Sequence, residues 1–234
     1  MTENSFVKEN LLRIQERIND ACIAANRAPD TVELMAVTKT VAPQYINEAI
    51  EAGITAIGEN RVQEYLGKCD ALRLQNVRTN LIGHLQTNKV RSIVGKIDRI
   101  DSVDSEHVAT AINTASAAVG KSTDILVQVN IGREPQKSGV LPEDLPALLE
   151  KIAVLPHISV KGLMTIPPIF ETEYEKRKIF SQFYQLFVDI RAKKLDNIDM
   201  QVLSMGMSGD FYEAILEGAT TVRVGTAIFG HRNY

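Results

Sequence analysis

Cysteine is scarce in this sequence. Cys22 and Cys69 are the two present among 234 residues, far apart and in no CxxC pair. That spacing argues against a disulfide framework or a thiolate metal site, and for two buried or half-buried thiols. No HExxH, DxD or clustered His/Cys pattern occurs, so no metal is expected. Long apolar runs are missing too. None approaches the ~20 residues that a membrane-spanning helix needs, and no membrane partner is expected. The polar start, Met1-Thr2-Glu3-Asn4-Ser5, lacks a charged leader followed by an apolar stretch, so the expected location is cytoplasmic. Positive charge is not in excess either. The net charge is −3 and no basic stripe appears. Nucleic-acid binding draws its affinity mainly from phosphate neutralisation, so no nucleic acid is expected as a partner.

What is present suits a globular α/β protein. Hydrophobic residues make up 44% of the chain and charged residues 24%, enough to build a real core. The length fits one large domain over residues 1–234, with no linker or low-complexity stretch to divide it. Val7, Leu11, Ile14, Ile18, Cys22 and Ala25 recur at helical spacing, which predicts an N-terminal amphipathic helix ending near Pro29. Residues 32–37 form a short, nearly continuous apolar run, as in a strand buried on both faces. Pro43 suits the first position of a helix, and Gly53 suits its left-handed cap.

The alternation continues. Strands are predicted at 56–59, 80–83, 100–103, 125–130, 160–165, 202–205 and 221–224, with helical patterns between them. The clearest helix runs over 173–194, with Ile179, Phe180, Phe183, Phe187 and Ile190 on one stripe. Thr172 and Glu175 carry a capping-box signature at its start. Lys193 and Lys194 are placed in its last turn, where cations suit the helix dipole. Strand–helix alternation implies a parallel sheet with right-handed crossovers. Eight repeats favour closure into a (β/α)8 TIM barrel, and the absence of a GxGxxG after the first strand weakens a dinucleotide-binding open sheet. The ten residues after the eighth strand are too few for a full last helix. The N-terminal helix is expected to fill that place in the outer ring.

A barrel of this type works at the C-terminal ends of its strands. Strand one ends in Val37-Thr38-Lys39-Thr40. A lysine there is partly desolvated, which lowers an amine's pKa and frees it as a nucleophile for a Schiff base. The alternative is a lysine that snorkels out of the strand end. Strand seven gives way to Ser204-Met205-Gly206-Met207-Ser208-Gly209-Asp210, with Ser208 as a candidate helix cap, and strand eight to Gly225-Thr226. Loops at these two places form a recurrent phosphate site of the fold, and two glycine-rich turns are the plainer account. Arg223 lies between Val222 and Val224 and faces away from them. Inside the barrel mouth it needs an acceptor, either a ligand or a carboxylate such as Glu59. Other polar groups stand at strand ends: Glu59-Asn60-Arg61, His84 with Gln86, Asn88 and Lys89, Asn130 with Lys137-Ser138-Gly139, and Met164-Thr165.

In register along the whole chain, several motifs resemble one family. They are Val37-Thr38-Lys39, Gly58-Glu59-Asn60-Arg61-Val62-Gln63-Glu64, Gly83-His84-Leu85-Gln86-Thr87-Asn88-Lys89, Lys137-Ser138-Gly139, Gly162-Leu163-Met164-Thr165, the segment Ser204 to Asp210, and Arg223-Val224-Gly225-Thr226-Ala227-Ile228-Phe229-Gly230. The family is that of the pyridoxal phosphate homeostasis (YggS/PROSC) proteins. The resemblance implies a barrel like the N-terminal domain of alanine racemase, with pyridoxal 5′-phosphate (PLP) held as a Schiff base on Lys39. It implies that Ser204, Gly225, Thr226 and backbone around Met205 and Gly206 hold the phosphate, and that Arg223 meets the pyridine nitrogen. Asn60, His84 and Met164 would line the surroundings of the ring. The stretch before Lys137 departs from the family's frequent Ser or Thr and reads Arg133-Glu134-Pro135-Gln136.

The implied role is PLP homeostasis: a monomer that holds the cofactor and supplies it to PLP-dependent apo-enzymes, without turnover of its own. An arginine at the ring nitrogen disfavours the protonation that makes PLP an electron sink. Alanine racemases draw a second base, a tyrosine, from a further β-domain, and no such domain is expected here, where the sequence reads to Tyr234. The alternatives are a PLP-dependent amino-acid racemase, with His84 or a tyrosine as second base, and a Schiff-base aldolase acting on a phosphorylated sugar.

Overall fold

The computed structural model describes residues 5–230, so the polar start Met1–Asn4 and the terminal Tyr234 lie outside the described residues. Strands β1 (Glu33–Val37), β2 (Ala56–Glu59), β3 (Arg78–Leu81), β4 (Arg99–Val103), β5 (Thr123–Gln128), β6 (Ile158–Met164), β7 (Ile198–Ser204) and β8 (Thr221–Val224) pair in sequence order into a closed parallel barrel. Closure comes from β1 lying beside β8, with Glu33 opposite Thr221 and Ala36 opposite Val224. The crossover helices are α2 (Pro43–Glu51), α3 (Val62–Lys68), α4 (Thr87–Ile93), α5 (Glu106–Ala118), α6 (Leu145–Ala153), α7 (Glu173–Ala192) and α8 (Phe211–Leu216). Helix α1 (Phe6–Ala24) precedes the barrel, and the four-residue α9 (Thr226–Phe229) follows β8.

Helix α1 completes the ring. Ser5 caps it by accepting from Val7 N–H, and its buried face is Val7, Leu11, Ile14, Ile18, Ala21 and Cys22. It packs on α2, α8 and α9. Asn10 donates to the Ile228 carbonyl at 3.0 Å, Arg27 to the Ile215 carbonyl at 3.1 Å, and Arg17 lies 4.7 Å from the Phe211 ring centre. Both cysteines are free, Cys22 buried and Cys69 half-buried.

Alternation along the strands divides the interior in two. Ala36, Ile57, Leu81, Ile100, Val222 and Val224 join the large core between barrel and helices. Their neighbours in sequence point inward. There Met35, Val37, Ala56 and Ile82 form a small separate apolar cluster, and a buried Arg99–Asp101 pair makes two bonds of 2.6 and 3.0 Å.

Several boundaries differ from those the apolar runs suggest. Strands β3, β5, β6 and β7 each begin two to four residues earlier, and β3 ends at Leu81, short of Gly83. Their first residues are polar or alternating: Arg78, Thr79 and Asn80 pair with Ala56, Ile57 and Gly58, and Ile198 pairs with Val160 ahead of a register shift, so the ladder extends past the apolar stretch. The Thr172–Glu175 capping box is formed in full. The last-turn cation of α7 is Arg191, whereas Lys193 is the C-cap and Lys194 follows in a left-handed conformation at φ 49°. Among the described residues no helix is long and apolar enough to cross a membrane.

Gly162 sits where the β6–β7 register shifts. Its φ is +153°, and a Cβ there would stand 1.8 Å from the Val202 carbonyl oxygen. Gly162→Ala must part the two strands, and we expect thermal or urea unfolding to show a loss of about 2–4 kcal/mol. An unchanged midpoint would show that the strands do not need this close approach.

Candidate functional site

A cleft of about 420 Å³ opens at the C-terminal ends of the strands. Four strands supply its floor and first wall: Val37 and Lys39 from the end of β1, Asn60 after β2, Ile82 after β3, and Arg223 on β8. The turns after β7 and β8 supply a polar wall of Ser208, Gly209, Asp210, Gly225 and Thr226. The long β6–α7 loop supplies an apolar lip of Ile166, Pro168, Ile169 and Phe170, with Ile169 95% exposed.

Lys39 is half-buried, and no group among the described residues pairs with its amine. The backbone around it is held tightly. Thr38 is fully buried, and its N–H donates to the Gly58 carbonyl at 3.0 Å. Its hydroxyl donates to Glu59, and its carbonyl accepts from Lys68 at 2.8 Å. Thr40 adopts φ 60°, rare for a β-branched residue, with its N–H on the Glu64 carboxylate.

Arg223 points inward, opposite to Val222 and Val224. Its guanidinium is buried and donates to the Ser204 hydroxyl and the Thr165 carbonyl, both at 2.7 Å. Burial pulls its pKa down to about 10, while the Asp101 and Asp210 carboxylates act in the opposite direction. Glu59 is not its partner. Glu59 pairs with Lys68 at 2.8 Å, and burial raises its carboxyl above the ordinary range despite that cation. Burial likewise raises Asp210, whose carboxylate accepts from Met207 N–H at 2.6 Å and faces Arg223.

The β7–α8 turn depends on Gly206. At φ +89°, a Cβ there would lie 2.6 Å from Ala214 Cβ and 2.9 Å from Phe211 Cα, so the turn can fold flat against α8 only without a side chain. Ser208 does not cap α8. Its hydroxyl accepts from Ala227 N–H at 3.4 Å and so ties the two turns of the polar wall together. On the far side, Lys137 donates to the Pro167 carbonyl at 3.0 Å, and a Cβ on Gly132 would meet Pro168 at 2.4 Å. The divergent stretch 133–136 thus belongs to a loop that braces the apolar lip. Asn130 holds this loop by donating to the Glu134 carbonyl at 2.8 Å.

Of the residues singled out from sequence, Lys39, Asn60, Arg223, Gly225 and Thr226 share the cleft. Ser204, Met205 and Met164 are fully buried behind its wall, and Gly206 packs on α8. His84 is exposed on the β3–α4 loop and does not line the cleft. Sequence reading passed over Lys176, which lines the polar wall from α7 and donates to the Gly209 carbonyl and Glu213, both at 3.2 Å. It also passed over the apolar lip, although the run Ile166-Pro167-Pro168-Ile169-Phe170 between a strand and a capped helix is a signal for one.

Comparison with known proteins places this geometry. The family model described as alanine racemase, N-terminal domain, matches residues 10–233. The pyridoxal phosphate homeostasis protein of Aquifex aeolicus is 42% identical over 226 residues, 97% of this chain and 98% of that protein. That of Escherichia coli strain K12 is 36% identical over 231 residues, 97% of each. Among solved structures, PipY of Synechococcus elongatus with PLP bound superposes with a TM-score of 0.83 at 33% identity, over 96% of this chain and all of that one. Alanine racemase of Clostridium difficile shares the fold, with a TM-score of 0.73 at 15% identity over 97% of this chain and 57% of that one. A closed barrel of the alanine racemase N-terminal type, matched along nearly its full length by such relatives, makes this chain a member of the pyridoxal phosphate homeostasis protein family.

Proposed function

We propose that this protein binds PLP, carries it covalently through Lys39 as a Schiff base, and releases it to PLP-dependent apo-enzymes in the cytoplasm, acting as a single-domain monomer without turnover of its own. One observation carries the proposal. An amine without a partner among the described residues, a buried guanidinium and a backbone-rich polar wall stand around one cleft. Each fits one part of the cofactor. The Lys39 amine suits the aldehyde. The open backbone at Ser208–Gly209 and Gly225–Thr226, with the Lys176 ammonium beside it, suits the phosphate. Asn60 and Arg223 suit the polar edge of the ring. The named relatives, and PipY in particular, support the choice of PLP over a sugar phosphate.

Bound PLP supplies an electron sink where its ring nitrogen is protonated. Arg223 works against that, because a buried cation repels a proton on the atom it faces. Arg223 is also fixed, since Ser204 and the Thr165 carbonyl hold two of its nitrogens. A racemase needs an acid or base on each side of the ring. Lys39 serves one side; Asp210 and Lys176 also line the cleft but are engaged by the Met207 N–H and by Gly209 and Glu213, and among the described residues no histidine or tyrosine lines it. The open mouth lets a recipient approach Lys39 past the exposed apolar lip.

Two outcomes are expected. Purified protein given PLP develops a visible absorption band that Lys39→Ala lacks at equal PLP concentration. A band of equal strength in Lys39→Ala would move the attachment to another lysine. In deuterium oxide, loaded protein leaves the α-protons of added amino acids unexchanged above the rate of free PLP, as mass spectrometry of the recovered amino acids will show. Exchange at ordinary enzyme turnover, roughly 1–1,000 per second, and lost in Lys39→Ala, would establish the racemase instead.

A further inference from the structure

Next to Lys39, and outside the cleft, lies an ion cluster of two buried residues, Glu59 and Lys68, and the half-buried Glu64. Lys68, the last residue of α3, is 9% exposed. Its ammonium has three protons and three acceptors: Glu59 at 2.8 Å, Glu64 at 2.9 Å and the Thr38 carbonyl at 2.8 Å. Glu59 takes the Thr38 hydroxyl, and Glu64 takes the Thr40 N–H. Three charged residues therefore grip both neighbours of Lys39, through a side chain, a carbonyl and an amide, while none of the three lines the cleft.

A cluster kept for stability alone would not need this arrangement. Apolar residues of similar volume stabilise a buried site as well or better. The grip also sustains a strained conformation, since Thr40 is left-handed without glycine's freedom. Such strain persists where the surroundings over-determine it, and Glu64 supplies that hold at the residue next to Lys39. The charge states agree. Burial works to raise the Glu64 carboxyl, yet Lys68 and the Thr40 N–H bring it below the ordinary range and keep it ionised.

We propose that Glu59, Glu64 and Lys68 position Lys39: they fix the backbone on both sides of it and so set the direction in which its amine enters the cleft, without touching the ligand. This role rests on Lys39 as the attachment point. Removing the grip lowers the extent to which the amine captures an aldehyde, because the amine must then be ordered at the moment of binding.

The test titrates PLP into wild type, Glu64→Ala, Glu64→Gln, Thr38→Val and a core control, Ile152→Val. For each, the mass fixed on Lys39 by borohydride, the circular dichroism per bound chromophore and the melting temperature are measured. Loading of Lys39 should weaken about tenfold in Glu64→Ala and by a similar factor in Thr38→Val, a near-isosteric change that removes the hydroxyl's bond to the Glu59 carboxylate, each the worth of one charge-assisted hydrogen bond. Glu64→Gln still presents an acceptor to the Thr40 N–H and recovers most of the loss. Circular dichroism per bound chromophore falls in Glu64→Ala and stays at the wild-type value in Ile152→Val, even where the two melt at similar temperatures. Wild-type loading in both Glu64→Ala and Thr38→Val would overturn the positioning role and leave the attachment intact. A loss that simply follows melting temperature, Ile152→Val included, would overturn it too. If wild type fixes no mass on Lys39, the attachment itself is wrong and this role falls with it.

Discussion

The pairing of the first strand with the last is the constraint on which everything else depends. The ladder from Glu33–Thr221 to Ala36–Val224 closes the barrel. It sets Lys39, just beyond β1, beside Arg223 and Gly225 at the end of β8. An open sheet of the same elements would leave these groups on opposite edges. Because closure leaves no sheet edge, the polar groups of the site need only meet ligand and water on one face. The small apolar cluster of Met35, Val37, Ala56 and Ile82 and the Arg99–Asp101 pair fill the interior below.

The balance of charge at the cleft decides its chemistry. Arg223 is buried with hydroxyl and carbonyl acceptors rather than a direct carboxylate partner. Burial weakens its hold on its own proton, but a guanidinium with a pKa near 10 remains a cation at neutral pH. Two carboxylates, Asp101 and Asp210, act on it through space, and Asp210 is committed to the Met207 N–H. In the proposed role, such a site would hold PLP by one amine and a set of fixed dipoles, with little to activate it for carbanion chemistry. The same economy suits a carrier, which must hold a reactive aldehyde and let it go.

Much of the fold was legible because its signal is periodic. The strand–helix alternation, the buried face of α1 and the Thr172–Glu175 box follow from local spacing. Strand starts were not, since Arg78, Asp124 and Ser159 pair in the ladder without being apolar. At the site, the positions of Lys39 and Arg223 follow from strand ends and alternation, as does the glycine turn after β7. Side-chain partners do not. Glu59 lay in reach of two cations, and packing gave it Lys68 from its own βα unit. Ser208 stands near two helix starts and serves α9 instead of α8. Lys176 reaches the cleft from α7 in the outer ring, a distance that no local pattern encodes, whereas the lip after β6 is marked by its own apolar, proline-bearing run.

The central claim is that one ligand spans the cleft from the Lys39 amine to the polar wall. A crystal structure of the protein grown with PLP tests it most directly. The account predicts continuous density from Lys39 Nζ into the ligand, the phosphate against the turns at 208–209 and 225–226, and the ring nitrogen toward Arg223. A phosphate lodged elsewhere on the molecule, or density joined to a different lysine, would contradict it.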